Sequence, residues 1–462
     1  MKVCLVQPPS PLLLEDKVMP PLGILYLAAW ARKNGHEVSI IDLAGLDSKN
    51  LRISNFKNLE DSDIVGFTCT TPQYNIARRI TTFLKEKGFD SQKYIVGGIH
   101  TTSLVHANEM DFLEKDGFDS YVIGEGYNAI TKMGVDLEEK STLSKMYSEP
   151  ILKDVNQLPF AARDLIDINS YKYKLGDTPT TTMYTQYGCP YSCQYCESPM
   201  AGSFTVRAQN PEHIQEEVRH IREEFGIHGF MIFDDEMNLD IRRMSKICNG
   251  FKEIGDIVWR GFVVTAKWNS DLARECRDSG CFEIASGIES GSPTILKNIR
   301  KPATVDINRR FVETSKKAGL RIKGFFIIGL AGESWQTVKE TDQWIDNLRK
   351  DGYAFDDCDF SILQIYPGSP FYANPQDIVF EDINPDKAYY KSTPGSYEDL
   401  VQVTTGGMTK YDLVCARNFM EYKHKKKGWI KEYSDRKDYD KIYEDDRMVE
   451  TIKYAEKKIK ET

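Results

Sequence analysis

The stretch Gln186–Glu197, with the sequence QYGCPYSCQYCE, holds three of the ten cysteines of this 462-residue chain. Cys189, Cys193 and Cys196 follow the spacing C-x3-C-x2-C, and the next cysteine along the chain is Cys248. Cysteine thiolates on a short loop bind metal ions or iron–sulfur clusters, but a structural zinc site or a closed cluster needs four ligands. Three nearby ligands therefore predict a metal centre with one coordination position open for chemistry.

Two other interpretations of the cysteine group stay open. His213 or His220 could complete a zinc knuckle with the three thiols. The three cysteines could also be an accidental group that binds no metal. In either case the chain would carry no open metal position.

The three-cysteine spacing resembles that of the radical S-adenosylmethionine (SAM) enzymes. In that family three thiolates bind three irons of a four-iron, four-sulfur cluster, and the fourth iron chelates the amino and carboxylate groups of SAM. The resemblance implies that Cys189, Cys193 and Cys196 are the cluster ligands. Further motifs that resemble the family follow in order: Asp234-Asp235, Gly287-Ile288-Glu289-Ser290-Gly291, Gly324 to Gly332 with Glu333, and Tyr366-Pro367-Gly368.

The same resemblance implies contacts to SAM. Tyr195 lies at a position that usually packs against the adenine. Glu289 ends a predicted strand and is assigned to SAM binding, where a carboxylate can accept the ribose hydroxyls. Asp234 or Asp235 would hold the SAM ammonium by charge-assisted hydrogen bonds, unless one of them caps the following helix.

Glu289 has an alternative role, which is a salt bridge to Arg207 or Lys267. The family often has an arginine where this chain has Lys267. Lysine does not make the planar bidentate contact of arginine, so we do not carry over the contacts assigned to that position.

The composition is that of an ordinary soluble protein, with 41% hydrophobic and 28% charged residues. No apolar run reaches membrane-spanning length, and Met1–Val6 begins directly as a strand with no secretory signal ahead of it. We therefore expect a cytoplasmic protein with free thiols. The net charge of −9 argues against a nucleic-acid backbone as partner, because phosphate binding needs a basic face.

Strands alternate with helices over about residues 1–145, which predicts a parallel sheet covered on both faces. Strands are predicted at residues 2–6, 37–41, 63–67, 93–96 and 118–123, with helices at 22–33 and 74–87. Glycines follow several of these strands, at the carboxyl edge where open α/β sheets bind ligands. None forms G-x-G-x-x-G or a P-loop, so a nicotinamide or nucleoside triphosphate site has no support.

The glycine-rich strand ends of this region resemble the cobalamin-binding domain that precedes many radical SAM domains. The resemblance implies cobalamin contacts from Pro21, Gly23, Thr68, Gly97, Gly98, His100, Gly124 and Glu125. The chain lacks the D-x-H-x-x-G motif that places a histidine on cobalt in many cobalamin proteins. We therefore expect His100 to be a loop residue near the corrin or a structural hydrogen-bonding group, with no protein histidine on cobalt.

We predict an α/β protein with four parts. Residues 1–147 form a Rossmann-like cobalamin-binding domain, 148–178 a linker, and 179–370 a partial (β/α)6 radical SAM barrel, while 371–462 form a mostly helical region. The cysteine loop follows the first barrel strand, at the end of the barrel where active sites collect. The charged tail predicts a solvated helical surface or, alternatively, a basic interaction arm centred on residues 423–427.

The two resemblances together imply a cobalamin-dependent radical SAM methyltransferase. A 5′-deoxyadenosyl radical takes hydrogen from an unactivated carbon, and methylcobalamin supplies the methyl group; phosphorus is the acceptor in rarer relatives. We expect three cofactors, a [4Fe-4S] cluster, SAM and cobalamin. The expected partners are a small-molecule substrate and an external electron donor such as flavodoxin or ferredoxin.

Other functions remain as alternatives. Some relatives keep both cofactors but form rings, rearrange the substrate or couple carbons without methyl transfer. A cobalamin or iron–sulfur carrier or sensor would need no SAM-cleaving site. Methylthio transfer to tRNA is disfavoured, because such relatives bind a second cluster through three N-terminal cysteines, whereas only Cys4 and Cys69 precede Cys189 here.

Overall fold

The computed structural model describes residues 1–10, 16–57, 59–111, 115–197, 204–380, 401–425 and 445–462. The chain divides into two compact units. The first comprises Met1–Lys172 with Glu197–Ala208, and the second comprises Tyr173–Cys196 with Gln209–Thr462. The four-part division of the sequence stays a prediction.

The first unit contains a six-stranded parallel sheet with the strand order β2-β1-β3-β4-β5-β6. Its strands are β1 (Lys2–Gln7), β2 (Glu37–Asp42), β3 (Ile64–Thr68), β4 (Lys93–Gly97), β5 (Ser120–Val122) and β6 (Met146–Tyr147). Its helices are Leu22–Lys33, Thr71–Glu86, Ile99–His106 and Gly126–Lys140. This architecture confirms the predicted Rossmann-like fold.

Helices cover both faces of this sheet. Cys4 and Val6 of β1 share a buried cluster with Ile80 of the helix Thr71–Glu86. Alternate strand residues point to opposite faces, so Val3 and Leu5, which are also buried, face the other side. Both faces of β1 are therefore buried, as expected in a parallel sheet.

The linker predicted at residues 148–178 contains short elements. They are the 3-10 turns Val155–Gln157, Arg163–Leu165 and Ile168–Ser170, and strand β7 (Lys174–Leu175), which pairs antiparallel with the next strand.

The second unit contains six parallel strands in sequence order, with β7 at one edge. They are β8 (Thr178–Met183), β11 (Gly229–Ile232), β12 (Val258–Phe262), β13 (Cys281–Glu289), β14 (Arg321–Ile328) and β15 (Asp357–Ile362). Two-residue strands β9 (Gln186–Tyr187) and β10 (Arg207–Ala208) lie between β8 and β11 in sequence. The curled sheet confirms the predicted partial (β/α)6 barrel.

Helices follow the barrel strands. They are Pro211–Phe225, Ile241–Ile254, Ser270–Asp278, Pro293–Asn298, Val305–Lys317 and Trp335–Lys350, and the 3-10 turn Thr265–Lys267 follows β12. Side-chain caps fix the starts of some of these helices. Asn269 accepts hydrogen bonds from the N–H groups of Asp271 and Leu272, and Asp240 accepts from the N–H of Arg243.

A layer of buried ion pairs crosses β12 to β15. Lys323 is 1% exposed and lies 2.8 Å from both Asp357 and Asp359. Arg260 lies 3.1 Å from Glu283 on the neighbouring strand. Lys425, just after the helix Lys410–His424, also pairs with Asp359. Three cations thus meet three carboxylates, and the layer carries no net charge.

Replacing Lys323 with alanine is expected to lower the free energy of unfolding by about 3–5 kcal/mol, because it leaves Asp357 buried without its cation. Urea unfolding of the full chain measures this change. As the control, Lys316→Ala removes a partly exposed pair with Asp356 and is expected to cost less than about 1 kcal/mol. If both variants lost the same free energy of unfolding, the buried layer would not stabilise the fold more than an exposed ion pair does.

The C-terminal region is mostly helical in its described parts, as predicted. It contains the short helix Pro370–Ala373, strands β16 (Val379–Phe380) and β17 (Val403–Thr404), and the helices Lys410–His424 and Asp446–Glu461. In the part of the chain that the structure describes, no helix combines the length and apolar character that crossing a membrane requires.

The predicted interaction arm at residues 423–427 begins inside this region. Lys423 pairs with Asp342 and Asp346, and Lys425 pairs with Asp359. These two cations are therefore neither the core of a basic arm nor a simple solvated surface, because acidic groups of the same unit already pair with them. Residues 426 and 427 lie outside the described residues.

Candidate functional site

The cysteine loop begins directly after β9, at the carboxyl end of the barrel strands. The N–H of Cys196 donates to the carbonyl of Cys193 over 3.1 Å, which closes a tight turn between two of the three thiols. Gln194 fixes the middle of the loop: its N–H donates to Ile299 O, and its carbonyl accepts from the N–H of Phe371. Backbone contacts therefore hold the loop in place without using its thiols.

The thiols of the cysteine loop are suited to binding metal ions. All three cysteines are free, and burial raises the pKa of Cys189 to about 11 and that of Cys193 above its usual value. Thiolates at such positions need a nearby positive charge, which metal ions supply. Elsewhere among the described residues, the donor atoms of Asp342, Asp346 and His424 lie close enough together to be considered as a metal site.

That acidic group is not a metal site in this fold. Lys423 Nζ lies 2.7 Å from Asp342 Oδ1 and 2.7 Å from Asp346 Oδ2, so an ammonium already occupies the position of a cation. His424 Nε2 lies 2.7 Å from Asp342 Oδ1, and its Nδ1 lies 3.2 Å from Arg349. The group is a satisfied ion-pair network.

Glu289 sits at the centre of a second polar group. It ends β13, is 5% exposed, and its Oε1 accepts from the Tyr195 hydroxyl over 2.7 Å and pairs with Lys301 Nζ at 2.9 Å. Its backbone φ is +63°, next to a register shift between Gly287 and Glu289. A Cβ at Gly287 would overlap Glu289 Oε1 and lie 3.0 Å from Lys301 Nζ, so a larger residue there would displace the ends of both side chains. The bulge therefore folds the carboxylate back over Gly287.

The structure thus brings together Tyr195 and Glu289, which the sequence predicted to contact the same cofactor. The salt-bridge partners predicted for Glu289 are wrong. Arg207 pairs instead with Glu125, and Lys267 Nζ donates to a backbone carbonyl. Lys301 was missed, since its only signal is a lysine in the loop after the short helix Pro293–Asn298.

Asp234 is buried and holds the chain that leads to the cysteine loop. Its Oδ1 accepts from the N–H of Thr185 over 2.6 Å and from that of Gln186 over 3.1 Å, and its Oδ2 accepts from the Thr185 hydroxyl. Burial outweighs these bonds and raises its pKa to about 6. The alternative in which Asp234 or Asp235 caps the next helix is wrong, because Asp240 does so.

Glu236 is the unsatisfied acid at this strand end. Its Oε2 is buried and has no hydrogen-bond partner among the described residues, and burial raises its pKa to about 8. Asp235 is exposed. The contact of Asp234 or Asp235 with the SAM ammonium stays a prediction, and Glu236 is a further carboxylate at the same position.

In the first unit, Gly97, Gly98 and Gly124 lie at or just after the ends of β4 and β5, whereas Gly23 lies in the first turn of the helix Leu22–Lys33. Gly98 has a φ of +104°, and a Cβ there would lie 2.7 Å from Cys69 O, so close packing explains this glycine. A Cβ at Gly23 or at Gly124 would meet nothing within 4 Å. Space is therefore open beside both positions, and Thr68 ends β3 at the carboxyl side, where sheets of this kind bind ligands.

His100 and Glu125 have partners inside the first unit. The His100 ring lies 4.3 Å from that of Tyr74, and burial lowers its pKa to about 4, which keeps it neutral. Its Nδ1 has no hydrogen-bond partner in the described part of the chain. Glu125 pairs with Arg207 and accepts from the N–H of Leu152 over 3.1 Å. Their predicted cofactor contacts, and that of Pro21 before the helix Leu22–Lys33, stay predictions.

Comparisons with known proteins agree with both units. The model of the radical SAM superfamily matches residues 183–345, and that of the B12 binding domain matches residues 16–133. An uncharacterized methyltransferase of Pyrococcus horikoshii is 31% identical over 80% of this chain and 82% of its own length. The chain belongs to the cobalamin-binding radical SAM family.

Two further proteins are similar to this chain, one in sequence and one in fold. The cytidylyl-2-hydroxyethylphosphonate methyltransferase of Streptomyces wedmorensis is 24% identical, over 85% of this chain and 84% of its own length. The fold is similar to that of the cobalamin-dependent SAM radical enzyme OxsB with aqua-cobalamin bound, with a TM-score of 0.68 and 16% identity. That similarity covers 98% of this chain and 71% of OxsB.

As a member of the cobalamin-binding radical SAM family, the chain is an enzyme whose cofactors are a [4Fe-4S] cluster, SAM and cobalamin. The residues on each unit fit these groups. Cys189, Cys193 and Cys196 would hold the cluster, and the acids at the ends of β11 and β13 lie at the same end of the barrel.

Replacing His100 with alanine is expected to leave the electron paramagnetic resonance spectrum of the bound Co(II) form unchanged, because the ring packs on Tyr74 and no histidine motif for cobalt is present. The full-length protein labelled with ¹⁵N-histidine gives the control. A nitrogen splitting that changes with this label and disappears in His100→Ala would contradict the expectation.

Proposed function

We propose that this enzyme methylates an unactivated carbon, or phosphorus, of a small-molecule or natural-product intermediate. When bound, the cluster and SAM supply a 5′-deoxyadenosyl radical, and cobalamin supplies a transferable methyl group. The observation that supports the proposal is the presence in one chain of a B12 binding domain and an open three-cysteine loop. The two relatives named above as methyltransferases support it further.

The side chains around Glu289 have a defined role in this proposal. Tyr195 and Lys301 both engage Glu289 Oε1, so the carboxylate has one orientation. In that orientation it accepts hydrogen bonds from the ribose hydroxyls of SAM. Asp234 acts at a distance as a positioning residue, because it holds the backbone of Thr185 and Gln186 ahead of the cysteine loop.

The alternative is a radical reaction with the same cofactors that forms a ring, rearranges the substrate or couples carbons. It is not favoured, because the similarity is higher to proteins named methyltransferases. The two outcomes differ in SAM consumption, since methyl transfer uses SAM as a methyl donor and the alternative does not.

We also propose the setting of the reaction. The enzyme acts in the cytoplasm, receives electrons from a flavodoxin or ferredoxin, and binds no nucleic acid. The net charge of −9 supports the last point, because it provides no general basic surface for a phosphate backbone.

The proposal is tested with full-length protein that is reconstituted anaerobically with iron and sulfide. Incubated with SAM and a strong reductant, it is expected to form S-adenosylhomocysteine only when cobalamin is bound, and without any substrate. Formation of 5′-deoxyadenosine without any S-adenosylhomocysteine, in the presence of bound and reduced cobalamin, would favour the alternative.

A further inference from the structure

The barrel sheet has two faces with different packing. Trp259 of β12 and Phe326 of β14 are buried, and Trp259 packs against Phe251 of the helix Ile241–Ile254. Adjacent strand residues point to opposite faces, so Phe325 faces away from the helices, as does Phe262. Both are only half-buried. The concave face of the sheet therefore carries aromatic side chains that the core does not cover.

Three aromatic rings lie side by side on this face. The Phe233 ring is 6.4 Å from that of Phe262, which is 5.9 Å from that of Phe325. Phe233 follows β11 and is 36% exposed. We call Phe233, Phe262 and Phe325 the aromatic trio.

Small residues on β13 allow the trio to form. Ala285 is in register with Phe262 on one side of β13, and Gly287 is in register with Phe325 on the other. Strands two apart are separated by about 9.6 Å, so rings only 5.9 Å apart must lean over the strand between them. Larger side chains at these two positions would prevent this contact.

The trio borders the polar group around Glu289. The Glu289 carboxylate folds back over Gly287, which is the register neighbour of Phe325. A molecule that lies on the trio is therefore adjacent to the side chains that the proposed function assigns to SAM.

The buried ion-pair layer lies on the other side of the trio and carries no net charge. Moving from Phe325 toward the start of its strand, the next residue on the same face is Lys323, which pairs with Asp357 and Asp359. On β12 the corresponding residue is Arg260, which pairs with Glu283. Because each cation has its carboxylate, this layer does not attract a phosphate or a carboxylate of a ligand.

We propose that the aromatic trio is a specificity-determining surface and that the substrate places a flat, uncharged, conjugated ring system on it. Aromatic faces bind such groups by offset stacking and edge contacts, whereas a paired ion layer gives no gain to a charged group. This inference rests on the proposed function, because it takes the concave face as the position of the substrate.

The test uses full-length protein reconstituted with cluster and cobalamin, and 6-propionyl-2-(dimethylamino)naphthalene, an uncharged flat fluorophore, as the probe. We expect the probe to bind saturably and its emission to shift to the blue. Excess methylphosphonate is not expected to displace the bound probe. Phe262→Ala and Phe325→Ala are each expected to weaken binding about three- to tenfold. Phe325→Leu keeps an apolar side chain but has no flat face, so it is expected to lose less affinity for the probe. This variant is the substitute test if an alanine variant does not fold.

The matched control is Phe282→Leu. Phe282 is a half-buried phenylalanine near the start of β13, at the opposite end from Glu289. Its replacement is expected to change the affinity for the probe by no more than about twofold. The inference would be overturned by any one of three results: the probe does not bind saturably, the wild type and both Phe325 variants bind it equally, or methylphosphonate displaces it.

The same samples separate this inference from the proposed function. The formation of S-adenosylhomocysteine and 5′-deoxyadenosine is measured without substrate. If both form but the Phe262 and Phe325 variants bind the probe as well as the wild type, the specificity surface alone is wrong. If binding depends on the trio but no S-adenosylhomocysteine forms, methyl transfer is wrong and the specificity surface stands.

Discussion

Replacing Cys189, Cys193 and Cys196 with alanine abolishes the iron–sulfur cluster. Wild-type protein reconstituted without oxygen is expected to bind about four irons and four sulfides per chain, and the triple variant close to none. The physical reason is that the three thiols of the loop supply the metal ligands. Backbone hydrogen bonds of Gln194 hold the loop itself in place. Iron and sulfide analysis with absorption spectroscopy measures this, and air is expected to bleach the wild-type cluster.

The control replaces Cys248 or Cys276 with alanine. Their sulfur atoms are 3.8 Å apart and buried between the helices Ile241–Ile254 and Ser270–Asp278. These variants are expected to keep the full cluster. Retention of iron and sulfide by the triple variant would contradict the ligand assignment, and wild-type protein with one zinc and no sulfide would restore the zinc knuckle.

Replacing Glu289 with alanine is expected to lower the rate of 5′-deoxyadenosine formation at least about 100-fold. The change removes the proposed ribose contact and leaves Lys301 and the Tyr195 hydroxyl without their shared acceptor. Liquid chromatography of the nucleoside products measures the rate. Glu313→Ala, on the helix Val305–Lys317 and paired with Arg309, is the matched control and is expected to keep the wild-type rate.

Two companion measurements assign the roles around Glu289. If Lys301 acts only by orienting Glu289, the double variant Glu289→Ala, Lys301→Met is no slower than Glu289→Ala alone. Formation of S-adenosylhomocysteine falls with that of 5′-deoxyadenosine if one pocket binds SAM for both steps, and is spared if a separate pocket serves methyl donation. An unchanged 5′-deoxyadenosine rate in Glu289→Ala would remove Glu289 from the SAM site.

Helix bounds were predictable where the sequence carries capping signals. Pro211–Phe225 carries such signals at both ends, because Pro211 is favoured at the first helical position and Gly226, with a φ of +64°, ends the helix. Leu22–Lys33 was predicted to the residue, since it ends at Asn34-Gly35. Strand bounds were harder. β13 stays paired with β14 as far as Glu289 through a bulge between Gly287 and Glu289, and no residue pattern announces a bulge.

The site was predictable only where local sequence defines it. The cysteine loop is contained in twelve residues, so its spacing could be recognised. The pairing of Lys301 with Glu289, the use of Asp234 to hold Thr185, and the aromatic trio all depend on which strands lie side by side and in what register. A single sequence does not give the order of the strands in the sheet or their register.

Labelled SAM shows whether both cofactor sites serve one methyl transfer. With SAM that carries a deuterated methyl group and a substrate that is turned over, we expect S-adenosylhomocysteine and 5′-deoxyadenosine in similar amounts per turnover, and a product that contains the deuterium label. Formation of 5′-deoxyadenosine with that substrate, but with no S-adenosylhomocysteine and no label in the product, would contradict methyl transfer by this enzyme.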